Sequence, residues 1–233
     1  METNSMELFE RDENSGFSEP PWPYKQLIGE LLWIGTIARP DICFAVNTLA
    51  RYAKEPKEIH WEAAKRVLRY LKGSRNLGIS YGGSADEHVV GYSDSDWGGD
   101  RSDRKSISGF VFMYNGGPIV WKSKKQSIVA TSTAEAEYIA VSAATNEAKW
   151  LKTFFGEIGQ APKGPIRLHV DNMAVINMAR NPVYQSKTKH IDIRAHHVRD
   201  ETANGTIQLE YIRTDLNPAD VFTKPLSPAL HEK

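Results

Sequence analysis

Four acidic residues stand where chemistry could be done. Asp94 closes one apolar run, Glu137 follows a helix-start signature, Asp171 closes another apolar run, and Asp220 ends the stretch Asn217-Pro-Ala-Asp220. Taken singly, an Asp in such a place reads as a cap or turn residue. Taken together, the four occupy strand ends and adjoining helix starts, where α/β sheets gather their sites. Carboxylates brought together without cations would repel one another, so the set makes physical sense as a metal cage. The single cysteine, Cys43, leaves no Cys pair for zinc, and hard oxygen ligands favour magnesium or manganese.

Elements must bring these residues together. From residue 88 the pattern reads as strands. Val89 to Asp94 is one; Ile107 to Tyr114 and Ile119 to Trp121 form a hairpin around Asn115-Gly116-Gly117-Pro118, whose Pro leaves the turn type open. Ser132-x-x-Glu135 has capping-box form and opens a long helix that should stop near Gly156–Gly159. A strand from Ile166 to Val170 runs into Asp171-Asn172 and a helix with Met173, Ile176 and Ala179 on one face. Another helix, about 189–203, ends at Asn204-Gly205; Thr206 to Ile212 alternates as a strand, and Asn217 to Asp220 opens a short last helix. This order predicts an α/β fold, a mixed five-stranded sheet with helices on its faces. Upstream, Leu27 to Ala38, Ile42 to Ala53 and Ala64 to Gly73 keep helical spacing and predict a small helical segment.

Charge is segregated along the chain. The 233 residues carry 29 Lys+Arg and 29 Asp+Glu, a net charge of zero, which argues against a histone-like tail. Residues 1–20 nevertheless sum to −5, residues 51–77 to +5, and residues 101–125 to +5, while 82–100 hold five acids and no Lys or Arg. An acidic centre between basic blocks is what a metal-dependent enzyme acting on phosphodiesters would need. The acidic, Pro-terminated 1–23 stretch reads as a disordered lead-in. It does not resemble a signal peptide, and the most apolar window, Leu31 to Ala38, is far shorter than the roughly 20 residues of a membrane-spanning helix. We therefore expect an intracellular chain with no membrane partner.

Several blocks resemble a known family. Gly91-Tyr-Ser-Asp-Ser-Asp-Trp-Gly-Gly-Asp100, Asp103-Arg-Lys-Ser-Ile-Ser-Gly109, Trp121-Lys-Ser-Lys-Lys-Gln126, Ser132-Thr-Ala-Glu-Ala-Glu-Tyr138, Val170-Asp-Asn172, Thr188-Lys-His-Ile-Asp-Ile-Arg194 and Asn217-Pro-Ala-Asp-Val-Phe-Thr-Lys-Pro-Leu226 resemble, together and in order, the ribonuclease H domain of copia-type retrotransposon Pol polyproteins. The resemblance spans about residues 88–226, with 227–233 as a tail. Residues 24–81, with Arg39-Pro-Asp41 and the His60 to Gly73 stretch, look like the segment joining that family's reverse transcriptase to its ribonuclease H. No paired-aspartate polymerase motif is present, so no polymerase activity is expected.

The resemblance implies a two-metal endoribonuclease that hydrolyses the RNA strand of RNA–DNA hybrids, with Mg2+ (two ions; Mn2+ also suitable) held by Asp94, Glu137, Asp171 and Asp220. Its implied partners are the hybrid and the polymerase domain of the parent polyprotein. Two neighbours compete for these roles. Asp96 would face the same side of a strand as Asp94, and Glu135 fits the capping position. Lys122, Lys124 and Lys125, with Lys65, Arg69 and Lys72 on the third helix, are candidate phosphate contacts; Ser108, Thr133 and Asn172 are candidates for backbone or 2′-hydroxyl contacts. Trp121 has the place of a hairpin core aromatic or a sugar-packing ring. The stretch Ile212 to Ala219 has no histidine, unlike the loop before the last Asp in many cellular relatives. His190, His196 and His197 on the preceding helix read as surface histidines.

Overall fold

The computed structural model describes residues 22–82, 88–100, 102–180, 189–227 and His231, with residues 189–192 described by backbone alone. The acidic lead-in through residue 21, residues 83–87 between the expected helical segment and the first strand, and residues 181–188 lie outside that set. The chain divides into two compact units, Met1–Ile79 with Lys224–Lys233, and Ser80–Thr223.

In the helical unit, α1 (Tyr24–Ile37), a 3-10 turn (Pro40–Ile42), α2 (Cys43–Ala50) and α3 (Glu58–Gly73) follow in order. Their spacing buries Ile28, Leu31, Val46, Leu49, Ala64 and Val67 in one cluster. A polar node then fixes the connections. Arg39 grips Asp41 through Nε at 2.9 Å and Nη2 at 2.6 Å, and also donates to the Ser74 carbonyl and hydroxyl beyond α3. The Tyr70 hydroxyl donates to Asp41 Oδ2 at 2.8 Å. Burial opposes ionisation of Asp41, yet the hydrogen bonds from Arg39 and Tyr70 outweigh it and hold the carboxyl below its ordinary range. A lowered folded value means that the stability Asp41 contributes is fully present above the unfolded value of about 4 and is lost as pH falls through the depressed one. Asp41→Asn should therefore lower the unfolding free energy at pH 7 by about 2–3 kcal/mol, with the difference from the parent shrinking in acid, as urea unfolding at pH 7 and pH 3 would measure.

The second unit is the expected mixed sheet with flanking helices. Its strands are β1 (Val90–Asp96), β2 (Ile107–Tyr114), β3 (Gly117–Lys125), β4 (Ile166–Val170) and β5 (Ile207–Tyr211), in the order β3-β2-β1-β4-β5. β1–β2 and β2–β3 are antiparallel, β1–β4 and β4–β5 parallel. The hairpin turn is two residues, Asn115 and Gly116, at φ 50° and 82°, the positive pair that a type I′ turn requires. Pro118 belongs to β3, opposite Met113 beside a register shift. It is tolerated because β3 is an edge strand. β3 runs on to Lys125, four residues beyond the expected Trp121.

Helices α4 (Thr133–Glu157), α5 (Met173–Arg180) and α6 (Lys189–Ala203) follow, and the chain closes through 3-10 segments Thr214–Leu216 and Pro218–Phe222. The long helix approaches the sheet closely because both surfaces are built from small residues. Ala136, Ala140, Ala144 and Ala148 are fully buried at i, i+4 spacing on α4, and the same face of β1 offers Gly91, Ser93 and Ser95. Phe110, Phe112, Tyr138, Leu151, Leu168 and Leu209 fill the core around this contact. Burial raises the Tyr138 phenol to about 12, against an opposing influence from Arg199, and its hydroxyl donates to the Ala195 carbonyl at 3.3 Å. A Cβ on Gly91 would lie 2.5 Å from Phe112 Cε1 and 2.9 Å from Leu168 Cδ1. Gly91→Ala should destabilise this unit by about 3 kcal/mol, measured as a fall in the urea midpoint at unchanged m. Among the described residues no helix is long and apolar enough to cross a membrane.

Candidate metal centre

The parallel pairing of β1 and β4 creates the site. Tyr92 stands opposite His169 in that ladder, so Asp94 and Asp171, each two residues further along, emerge side by side where the two strands end. Glu137 reaches them from the second turn of α4. One carboxylate oxygen from each of Asp94, Glu137 and Asp171 lies within 4.8 Å of the others. Asp94 is 3% exposed and Glu137 7%, whereas Asp171 is half-buried, so the cluster opens to solvent on the Asp171 side.

This donor set suits a hard divalent cation. All three candidate ligand atoms are carboxylate oxygens, two of them from buried side chains, and a cation is the group that would offset their charge when ionised. Among the described residues this is the group of three or more acidic, histidine or cysteine side chains so placed.

Three of the four expected carboxylates are thus brought together. Asp220 sits half-buried on the Pro218–Phe222 segment and is outside the 4.8 Å group. Its segment is nevertheless tied to β1. Asn217 donates through Nδ2 to the Ser93 carbonyl at 3.0 Å, and the Thr223 hydroxyl donates to Asp94 Oδ2.

The two competitors go elsewhere. The Asp96 carboxylate lies over the Gly98-Gly99 turn, so close that a Cβ on Gly99 would fall 1.7 Å from Oδ2. Glu135 turns back to the start of α4, where its Oε2 accepts from the Thr131 amide at 2.8 Å and from the Thr131 hydroxyl, while Ser132 Oγ accepts from the Glu135 amide at 3.2 Å. The capping arrangement therefore reaches Thr131, one residue before the Ser132 cap.

The candidate nucleic-acid contacts divide. Lys122 and Lys124 are exposed on edge strand β3 and alternate onto one face. Lys125 instead engages Asp100 and, at 2.9 Å, Asp103; partial burial opposes its charge, but the two carboxylates outweigh it and raise its pKa. Ser108 is 9% exposed and its Oγ accepts from Gln126 at 2.8 Å. Thr133 is exposed at the start of α4, and Asn172 caps α5 by accepting the Ala174 amide at 2.9 Å. In the helical unit Lys65 pairs with Glu62 and lies 6.0 Å from the Trp61 ring centre, while Arg69 and Lys72 are exposed. Trp121 is half-buried. His196 is exposed and His197 half-buried, neither within a metal-sized group; the His190 side chain lies outside the described residues.

Three supporting residues have no role in the sequence reading. Gln126, 6% exposed, donates through Nε2 to Ser108 Oγ and, at 2.9 Å, to the Ala136 carbonyl, with Ser95 Oγ 3.4 Å away. It fastens the turn that carries Glu137 to the strand that carries Asp94. Asn217 and Thr223 do the same for the terminal segment. All three lie inside the motif blocks, which was the available signal.

The chain is 41% identical to the retrovirus-related Pol polyprotein from transposon TNT 1-94 of Nicotiana tabacum over 202 residues, which is 87% of this chain and 15% of that polyprotein. It is 45% identical over 129 residues to the secreted RxLR effector protein 161 of Plasmopara viticola, covering 55% of this chain and 91% of that protein. Among solved structures, the foamy viral protease-reverse transcriptase in complex with an RNA/DNA hybrid has a similar fold, with TM-score 0.52 and 14% identity over 90% of this chain and 27% of that one. No protein-family model matches the chain.

Proposed function

Because the chain belongs to the retrovirus-related Pol polyproteins of transposons and spans about 15% of one such relative, we propose that its α/β unit is the copia-type ribonuclease H, hydrolysing the RNA strand of RNA–DNA hybrids during reverse transcription. The observation that carries this reading is the carboxylate cluster of Asp94, Glu137 and Asp171 at the ends of two parallel strands. Asp94, Glu137 and Asp171 would hold the cations, and Asp220 would join them from the segment anchored on Ser93 and Asp94. Two Mg2+ or Mn2+ ions held by these carboxylates would supply an activated water and charge stabilisation for the leaving 3′ oxygen. Lys122 and Lys124 would hold phosphates, with Arg69 and Lys72 as further contacts from the helical unit. Thr133 and Asn172, at the starts of α4 and α5, would meet the backbone or 2′-hydroxyls, so selectivity would come from hybrid shape and the 2′-OH. The reaction would run inside the cell alongside the polymerase domain of the parent polyprotein.

A gel assay with end-labelled RNA in a hybrid tests this. Magnesium-dependent cleavage is expected, absent in EDTA and lost in Asp171→Asn; undiminished cleavage by that variant would overturn the site. Binding should also weaken steeply as salt rises, because counterions released by the exposed lysines and arginines drive it. A second reading, a transposon-derived binding module without catalysis, draws on the Plasmopara relative, of which this stretch makes up 91%. Tight hybrid binding without cleavage in Mg2+ or Mn2+ would favour it.

A further inference from the structure

Asp94 is held by a group that no metal reading requires. Thr223 is fully buried and donates its hydroxyl proton to Asp94 Oδ2. Thr223 Oγ1 also lies 3.1 Å from the Asp220 carbonyl oxygen, but a hydroxyl has one proton, and a carboxylate is the stronger and here the nearer acceptor. Terminal carboxyl torsions are broad, so an Asp side chain without such a partner would turn within its site. Asn217, 5% exposed, braces the arrangement by donating to the Ser93 carbonyl and accepting the Ala219 amide at 3.1 Å. The segment that carries Asp220 therefore also holds one carboxylate oxygen of Asp94.

We infer that Thr223 is a positioning residue for the divalent-cation site, acting through the orientation of Asp94. A carboxylate has lone pairs enough to accept the Thr223 proton and still face a cation. Partners of metal ligands commonly change metal affinity by about 10- to 100-fold when removed. The inference rests on the metal-cage reading of the cluster.

The test compares the parent chain with Thr223→Ser and Thr223→Ala, which both lack the γ-methyl and differ only in the hydroxyl. Free Mn2+ is followed by electron paramagnetic resonance, and folding in EDTA by circular dichroism. Thr223→Ser should bind Mn2+ within about 3-fold of the parent, and Thr223→Ala about 10-fold more weakly. In hybrid cleavage the alanine variant should lose kcat at unchanged KM and recover partly as Mn2+ is raised. Equal Mn2+ affinity for folded serine and alanine variants would overturn the positioning role while leaving the cluster intact. Absence of Mn2+ binding by the parent would overturn the cluster reading and this inference with it. Should the alanine variant not fold, Thr223→Val, which preserves the shape, takes its place in the same comparison.

Discussion

Asp94→Asn is expected to reduce hybrid cleavage by about 1000-fold or more and, in EDTA, to unfold at a higher temperature than the parent. The two effects have one cause. Asp94, Glu137 and Asp171 present oxygens within 4.8 Å of one another, and two like charges about 4 Å apart repel by roughly 4 kcal/mol at an effective dielectric of 20. Neutralising the most buried of the three relieves that repulsion. The replacement keeps its supports, since an Asn Oδ1 can still accept the Thr223 hydroxyl proton. Its amide N–H groups would face Glu137 and Asp171 as donors. Added Mg2+ should reverse the ranking, raising the melting temperature of the parent and hardly moving that of the variant, because binding to the folded state alone stabilises it. Thermal unfolding with and without Mg2+ reads all of this. A variant that melts lower than the parent in EDTA and is still stabilised by Mg2+ would remove Asp94 from the metal set.

Much of this site is written locally. Asp94 and Asp171 are legible because an apolar run that ends in Asp marks a strand end, and Glu137 is legible because Ser132 and Glu135 claim the cap. The choice between Asp94 and Asp96 is not legible by alternation, since both point the same way from β1; the turn at Gly98-Gly99 decides it by drawing Asp96 over its own backbone. Lys125 shows a second limit. The segment 101–125 sums to +5 with Asp103 already counted, yet Lys125 is also paired with Asp100, outside the segment, and Lys105 with Asp103 at 3.2 Å. Local ion pairs thus neutralise part of the basic block, leaving Lys122 and Lys124 as its exposed strand lysines. Ser108 has a structural partner that the sequence does not announce, Gln126, 18 residues away. The anchoring of the terminal segment is the least legible feature: Asn217 meets Ser93 across 124 residues and Thr223 meets Asp94 across 129, and no local pattern encodes such a distance.

Gly109→Ala should impair cleavage strongly, although Gly109 bears no functional group. In the β1–β2 ladder Gly109 stands directly opposite Asp94, and the terminal 3-10 segment lies against its open face. A Cβ there would be 2.7 Å from Phe222 Cβ, 2.7 Å from Thr223 Cγ2 and 3.2 Å from the Ala219 carbonyl oxygen. These atoms belong to backbone-near positions of buried residues, so no side chain can swing aside. The segment itself must lift. Lifting stretches the Thr223–Asp94 and Asn217–Ser93 hydrogen bonds and carries Asp220 away from the cluster. Overpacking of this kind costs about 2 kcal/mol of stability, and a displacement of about 1 Å at a catalytic group can cost 100-fold in rate. Gly156→Ala supplies the control, because it lies in α4 of the same unit with nothing within 4 Å of the added carbon. It should be neutral or slightly stabilising, as removing a helix glycine usually is. Cleavage and urea unfolding measured on both variants separate the possibilities. If Gly109→Ala cleaves hybrid at the parent rate while Gly156→Ala behaves as expected, the terminal segment is not seated on Gly109 in solution.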